Sequence, residues 1–373
     1  MKIRLLSFIY LLLISCSNDS YSDLANVNTT ITLIWNKAYE DDSIDQSLIG
    51  LKWALSYLVA SLPSGDMGIS VSDTAITIDI IKLGFNATAE QSLLELLEII
   101  KSSNEYETNN TIDLGSFIAL TIGASEHYYK IAGTPITLDE ILNNYTFLPL
   151  KGYIDNSTIS NEHRILEFSA QIGLTQLLMT TEVDPTTQAI YEYETIEILP
   201  NGQLRFGIFD ANGIRIPSAE SIYTNAGKPA KCMWCHESTI NPLFTPQNNY
   251  PNYLTYNELQ NTLQNYRVQH HENKTTLFPD GVDFTQTQQH TLTELLYISF
   301  MDPSAQRLSY EWNLTLFEVE NQLSGLETHI YDEFPFLGEL YHRNEVDPLA
   351  PFQGITVSSS VREPSDIEVN YLD

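Results

Sequence analysis

The stretch QAIYEYETIEILPNGQLRFGIFD, residues 188–210, decides the fold, because it predicts two antiparallel strands joined by a tight turn. Its first half is rich in β-branched and aromatic residues, which favour strands. Asn201-Gly202 is the strongest short hairpin signal. The returning QLRFGIFD alternates apolar residues with others, as a strand with one buried face does. We therefore expect a small antiparallel β meander within residues 156–217.

A mainly helical block is expected before the meander, at residues 45–155. DQSLIGLKWALSYLVASL repeats apolar residues at helical spacing and stops at Pro63. Alternating isoleucines at 76–80 predict one short strand within this block. TAEQSLLELLEIIKSS then opens with Thr88 and Gln91, the pattern of a capping box at a helix start.

A second helical block is expected after the meander, at residues 218–345. Thr255 and Glu258 form a capping pattern before a long polar helix. Asp302 and Pro303 predict a further helix start, with aspartate as the N-cap and proline in the first turn. The same segment carries the motif with candidate chemistry.

These patterns together predict an α+β fold: a mainly helical N-terminal block, a small antiparallel β meander and a helical C-terminal block. The Pro- and Ser-containing segment 346–373 is expected to be a loosely ordered tail. The 373 residues include 48 acidic and 18 basic ones, for a formal net charge of −30. That charge argues against nucleic-acid binding, which requires a basic face. It suits a soluble surface that meets basic partners or cations.

The N-terminus, MKIRLLSFIYLLLISCSNDS, has the proportions of a secretory signal. Its apolar run is shorter than the roughly 20 residues of a membrane-spanning helix. The run ends in LISC, which resembles the lipobox of bacterial lipoproteins. This resemblance implies removal of residues 1–15, lipid on Cys16 and a flexible tether over 16–44. Serine rather than aspartate follows the cysteine, so we expect a lipid-anchored protein of the cell envelope at the outer membrane. A plain secretory signal is the alternative.

The segment AGKPAKCMWCHESTINPLF contains both cysteines that follow Cys16. Cys232, Cys235 and His236 form Cys-x-x-Cys-His, the attachment signature of c-type haem. Two thiols at this spacing can add to the two vinyl groups on one porphyrin edge, and the next histidine can bind the iron. A structural zinc normally needs four protein ligands, and a disulfide here would close a very small loop. Haem is favoured, while a disulfide, a dithiol or a metal site are alternatives.

On these residues the chain resembles a mono-haem c-type cytochrome carried on a bacterial lipoprotein. The resemblance covers 232–236 and the helical setting downstream, and not the blocks before them. It implies one covalent haem c on Cys232 and Cys235, with His236 as proximal iron ligand. It also implies electron transfer or haem-based redox sensing, with a redox partner protein that has a basic face. Electron carriage is expected rather than catalysis, because only one haem motif is present.

Two residues are candidates for the distal iron position. Met301 lies downstream of the motif beside a proline, and a methionine ligand would raise the reduction potential. His270 is less favoured, because a histidine near a helix C-terminus has a structural role with the helix dipole. No catalytic residue is predicted. The alternative function is a surface or periplasmic binding lipoprotein without haem, whose Cys232–Cys235 pair is a disulfide or metal clip.

Overall fold

The computed structural model describes residues 28–63, 68–172, 175–277, 282–286 and 288–373. In this part of the chain, many helices occur together with one mixed and one antiparallel sheet, which confirms the predicted α+β class. The predicted signal peptide, Cys16 and the start of the tether lie outside the described residues. No helix within the described ranges is long and apolar enough to cross a membrane.

The regular elements follow the chain in this order. The strands are β1 (Thr30–Ile34), β2 (Ile69–Ser72), β3 (Ala75–Asp79), β4 (Ile112–Asp113), β5 (Phe147–Ile154), β6 (His163–Ser169), β7 (Leu177–Val183), β8 (Ile190–Ile198) and β9 (Leu204–Asp210). The helices are α1 (Ile44–Tyr57), α2 (Ala87–Lys101), α3 (Asn104–Asn109), α4 (Leu114–Thr121), α5 (Ser125–Ala132), α6 (Leu138–Leu142), α7 (Pro229–His236), α8 (Tyr256–Leu277), α9 (Gln289–Met301), α10 (Ala305–Glu311), α11 (Leu316–Gln322) and α12 (Arg343–Val346).

The first sheet is small and combines strands of the N-terminal block with β1, which lies in the segment expected to be a flexible tether and is paired on both sides. Its strand order is β2-β3-β1-β4, and β1 runs antiparallel to β3 and parallel to β4. Ile76 and Ile78 of β3 are fully buried, because alternate side chains of a strand face the same side. Ile80 continues the buried pattern but already belongs to a short 3-10 turn. The buried faces of α1, α4 and α9 join this sheet in the largest core of the protein.

The close approach of α1 and α9 explains a glycine inside α1. A Cβ atom on Gly50 would lie 2.8 Å from the backbone of Leu292 and Thr293. The Thr293 hydroxyl donates a hydrogen bond to the Gly50 carbonyl oxygen at 2.7 Å. The lack of a side chain therefore lets two helices that are distant in sequence touch through their backbones.

The second sheet is the predicted meander. Its strand order is β5-β6-β7-β8-β9, and every neighbouring pair is antiparallel. The hairpin expected at Asn201-Gly202 connects β8 to β9, with Ile198 opposite Leu204. Gly202 has a φ of 82°, a conformation that glycine adopts without steric cost. The sheet begins at Phe147, earlier than the expected boundary at residue 156.

Helix starts agree with the sequence patterns only in part. Before α8 the predicted pair forms, and the Thr255 hydroxyl donates to Glu258 Oε2 at 2.7 Å. The predicted start at Thr88 is wrong, because Asn86 caps α2 and accepts a hydrogen bond from the Ala89 N–H at 2.9 Å. The predicted Asp302 cap is also wrong, since Ser304 caps α10. In both cases a better-placed side chain satisfies the first free N–H groups.

The C-terminal segment that was expected to be loosely ordered has little regular structure, yet it packs against the rest. Val361, Val369 and Leu372 are buried. The ammonium of Lys228, itself fully buried, contacts Glu368 Oε2 at 2.5 Å. The C-terminal segment is therefore fixed to the start of α7 by a buried ion pair as well as by apolar contacts.

A buried ionic network joins the first sheet to the C-terminal helices. Asp113, at the end of β4, receives a hydrogen bond from Arg307 at 2.7 Å and caps α4 through the Gly115 N–H at 2.7 Å. Arg307 also pairs with Glu311, which accepts from Arg343 at 2.6 Å. Opposite charges at these distances satisfy one another away from water. Removal of one partner leaves a charge buried alone.

We therefore expect Asp113→Ala to lower the free energy of unfolding by about 3–5 kcal/mol, because it leaves the buried Arg307 without one of its carboxylates. Urea unfolding followed by circular dichroism measures this loss. Lys151→Ala is the matched control, since it removes a half-exposed ion pair with Glu167 that contributes about 1 kcal/mol or less. Equal losses of unfolding free energy in the two variants would contradict the large contribution of the buried network to stability.

Candidate functional site

The Cys-x-x-Cys-His segment forms the helix α7. Lys228 precedes it in an extended conformation, and Pro229 occupies its first turn. A proline is tolerated there because the N–H groups of the first turn have no partner within the helix. Cys232, Cys235 and His236 stand at positions i, i+3 and i+4. Residues at these spacings share one face of an α-helix. The helix therefore presents two thiols and one imidazole in the same direction.

That face of α7 borders a cavity enclosed by the second sheet, α8 and the segment 240–244. The empty space measures about 890 Å³, including the part open to solvent. Pockets that bind organic ligands are mostly apolar. Most of the lining side chains here are apolar, among them Ile154, Ile159, Leu166, Leu178, Ile196, Phe206, Ile208, Ile240, Leu243, Phe244 and Leu263.

The three polar groups of the α7 face are uncharged at neutral pH. Cys232 and Cys235 are free thiols, and burial raises the pKa of both above the ordinary value. Burial also lowers the pKa of His236 to about 4, so its imidazole is neutral. The Nδ1 atom of His236 is buried and makes no hydrogen bond of ordinary geometry within the described residues, although the Thr239 backbone lies beside the ring. A neutral imidazole with a free nitrogen is a good metal ligand.

The end of α7 is fixed by one residue, Ser238. Its N–H donates to the Tyr57 hydroxyl at 3.0 Å, and its hydroxyl accepts from the Trp53 indole N–H at 3.0 Å. Its carbonyl oxygen accepts from the buried Lys274 ammonium. Helices α1 and α8 therefore hold the chain two residues after His236, which fixes the direction of the imidazole.

Part of the cavity wall is polar. Arg164 of β6 donates to Glu194 at 2.8 Å and to Glu182 at 2.9 Å, and both Arg164 and Glu194 line the cavity. Glu192 lies beside them, and one of its carboxylate oxygens is buried without a partner in the part of the chain that the structure describes. Because burial and neighbouring carboxylates oppose ionisation, the pKa of Glu182 rises to about 8 and that of Glu192 to about 7.

The sequence interpretation missed this polar wall, although a signal was present. Glu192, Glu194 and Ile196 alternate along β8 and therefore face the same side of the sheet. In the structure Glu194 and Ile196 both line the cavity, opposite Ile208 and Phe206 of β9. Two glutamates on the same strand face as a cavity-lining isoleucine are unusual, because charged side chains are rarely buried without partners.

The two candidate distal ligands lie elsewhere. Met301 ends α9, packs at the margin of the largest core and borders a different cavity. His270 is buried in α8, where its Nε2 lies 2.9 Å from the Gly202 carbonyl oxygen. Burial lowers the pKa of His270 to about 3. Among the described residues that line the cavity, His236 is the only histidine and there is no methionine.

Comparisons with known proteins give no relative: no protein-family model, curated protein or solved structure matches this chain. The resemblance to mono-haem c-type cytochromes on a lipoprotein is therefore wrong as an assignment to a family. It depended on five residues, 232–236, and the fold around them has no matching structure. A motif of this length depends on local helix geometry, so it does not define the domain that carries it.

We expect Tyr57→Phe to lower the free energy of unfolding by about 1–3 kcal/mol, because the buried Ser238 N–H loses its acceptor. Chemical denaturation measures the change. Tyr310→Phe is the control: Tyr310 is half-exposed, and surface changes of this kind usually stay within about 0.5 kcal/mol. If the two substitutions had the same effect, Ser238 would not anchor α7 through Tyr57.

Proposed function

We propose that this protein binds one haem covalently through Cys232 and Cys235, with His236 as an axial iron ligand. The observation that carries the proposal is the α7 face, which presents two free thiols and a neutral imidazole to one apolar cavity. Addition of each thiol to a vinyl group forms one S–C bond and moves the thiol hydrogen to the other vinyl carbon. The step therefore requires no oxidant.

The residues of the cavity fit such a group better than they fit the alternatives. The His236 imidazole and the apolar lining suit a mostly apolar ligand that offers a metal centre to the imidazole. A metal clip is less well supported: among the described residues, the clusters compact enough for an ion include none of the α7 residues. The free thiols likewise give no support to a disulfide.

The composition of the cavity favours small-ligand binding or redox sensing over simple electron carriage. An electron-carrying haem usually has two protein ligands, and a haem with one protein ligand can bind a small molecule at the iron. Within the described residues, neither Met301 nor His270 borders the cavity. Arg164 and Glu194 instead offer a guanidinium and a carboxylate at the cavity wall, where they can hydrogen-bond a bound small molecule.

The cellular setting is part of the same proposal. A lipid on Cys16 would hold the protein at the cell envelope, by its N-terminus alone, and the strongly acidic surface would favour a redox partner with a basic face. A non-haem binding lipoprotein is the competing function, because the same cavity could hold another apolar ligand without any covalent bond.

Haem staining of a denaturing gel tests the covalent bond. The full chain is expressed with and without the cytochrome c maturation machinery, and we expect a stained band that requires the machinery. Cys232→Ala with Cys235→Ala should abolish the stain, since no thiol remains to add to a vinyl group. Membrane and soluble fractions are run in parallel, and Cys16→Ser should move the band to the soluble fraction.

Met233→Leu is the control for this gel. Met233 lies on the same helix but is buried in the core, and a change that conserves volume usually costs less than about 1.5 kcal/mol. We expect its stain to equal that of the wild type. A folded but unstained wild type would overturn the haem proposal and leave the non-covalent binding lipoprotein.

Carbon monoxide tests the open axial position. We expect the reduced haem protein to bind carbon monoxide with a shift of its Soret band, because no second protein ligand has to be displaced. Met301→Leu and His270→Gln should leave the spectrum of the reduced protein unchanged. Two results together would overturn the open axial position: the reduced protein does not bind carbon monoxide, and either variant changes the spectrum. They would favour an electron carrier with two protein ligands.

A further inference from the structure

A second group of potential ligands lies away from the α7 cavity, at the end of α9. Asp302, His329 and His342 each offer one ligand atom, and these three atoms lie within 4.8 Å of one another. His342 Nδ1 is 2.8 Å from Asp302 Oδ1, and His329 Nε2 is 3.6 Å from the same oxygen. One carboxylate oxygen therefore faces two imidazoles that come from different parts of the chain.

Backbone hydrogen bonds fix the segments that carry these residues. The His329 N–H donates to the Leu340 carbonyl oxygen at 3.0 Å, and the Leu340 N–H donates back to His329 at 2.9 Å. The Tyr341 N–H donates to the Pro303 carbonyl oxygen at 3.0 Å. The segments that carry His329 and His342 are thus paired with each other. Tyr341, directly before His342, is hydrogen-bonded to Pro303, directly after Asp302. Such preorganisation reduces the entropy that ligand binding would otherwise cost.

Among the described residues, the two ring nitrogens of His329 have no hydrogen-bond partner. Its Nδ1 is buried and has no partner among the described residues. Its Nε2 is 3.6 Å from Asp302 Oδ1, which is too far for a hydrogen bond. Because neither ring nitrogen makes a hydrogen bond within this part of the chain, His329 can bind an ion without losing one.

The two rings are stacked, with centroids 4.3 Å apart and planes inclined by 17°. Parallel rings do not direct their lone pairs at one point, so one ring has to rotate about its side-chain bonds when an ion binds. His342 can do so, because 57% of its side chain is exposed, whereas the β-bridge restrains the backbone of His329.

We propose that Asp302, His329 and His342 form a binding site for a divalent transition-metal ion of the Zn²⁺ class. Two imidazole nitrogens and one carboxylate oxygen suit Zn²⁺, Ni²⁺ or Cu²⁺, while Ca²⁺ and Mg²⁺ prefer oxygen ligands. Because three protein ligands leave a coordination position, water completes the site. The nearby Arg343 does not block a cation, since its guanidinium is engaged by Glu311 at 2.6 Å. This site is independent of the haem proposal.

Calorimetric titration of the full chain with Zn²⁺ tests the site. We expect one ion per chain at this position, and an affinity reduced at least about tenfold by Asp302→Asn or His342→Gln. His271→Gln is the matched control, because it removes an exposed histidine of α8 and should leave the affinity unchanged. Thermal unfolding without metal checks that each variant folds like the wild type.

Two outcomes would overturn the site. In the first, His342→Gln binds Zn²⁺ as tightly as the wild type while remaining folded. In the second, binding is lost in the Cys232→Ala, Cys235→Ala double variant and is retained in Asp302→Asn. The second outcome would assign the ion to α7, whereas failure of the haem stain alone leaves this site unaffected.

Discussion

The three hydrogen bonds to Ser238 are the constraint on which the candidate site depends. Glu237 and Ser238 both have positive φ angles, 49° and 62°, which cost non-glycine residues about 1–2 kcal/mol each. Hydrogen bonds from α1 and α8 hold the chain in this conformation despite the cost. As a result, α7 ends at His236, and the chain turns so that residues 240–244 line another side of the cavity.

The α7 anchor combines with the meander to give the cavity two unlike walls. Helix α7 contributes two thiols and an imidazole, which are uncharged at neutral pH. The sheet contributes apolar side chains and a single guanidinium surrounded by three glutamates. Because Glu182 and Glu192 ionise only near pH 8 and 7, protons can be taken up or released beside the cavity close to neutral pH. A change of charge within the cavity would therefore be coupled to a change of protonation in its wall.

Local patterns in the sequence predicted the parts of the fold that local forces determine. Asn201-Gly202 gave the hairpin, and the helical spacing of α7 follows from its own residues. The pairing of β1 with β4 was not predictable, because it joins strands far apart in the sequence. Met301 was chosen for its distance along the chain, but the packing of α9 against α1 and α4 decides where it lies. The sequence pattern predicts a helix-end role for His270 with the helix dipole, and contact with the β8–β9 turn buries the residue.

The motif and the fold carry separate kinds of information. Positions i, i+3 and i+4 bring two cysteines and a histidine together on any helix, so the five residues indicate the chemistry of attachment alone. What the attached group could do depends on the opposite wall, and that wall comes from strands about 25–70 residues earlier in the chain. Arg164 and Glu194 border the cavity, whereas Met301 and His270 lie outside it. Under the proposed haem function, a methionine at this wall would suit electron transfer, whereas the guanidinium and carboxylate that border the cavity suit the binding of a small polar molecule.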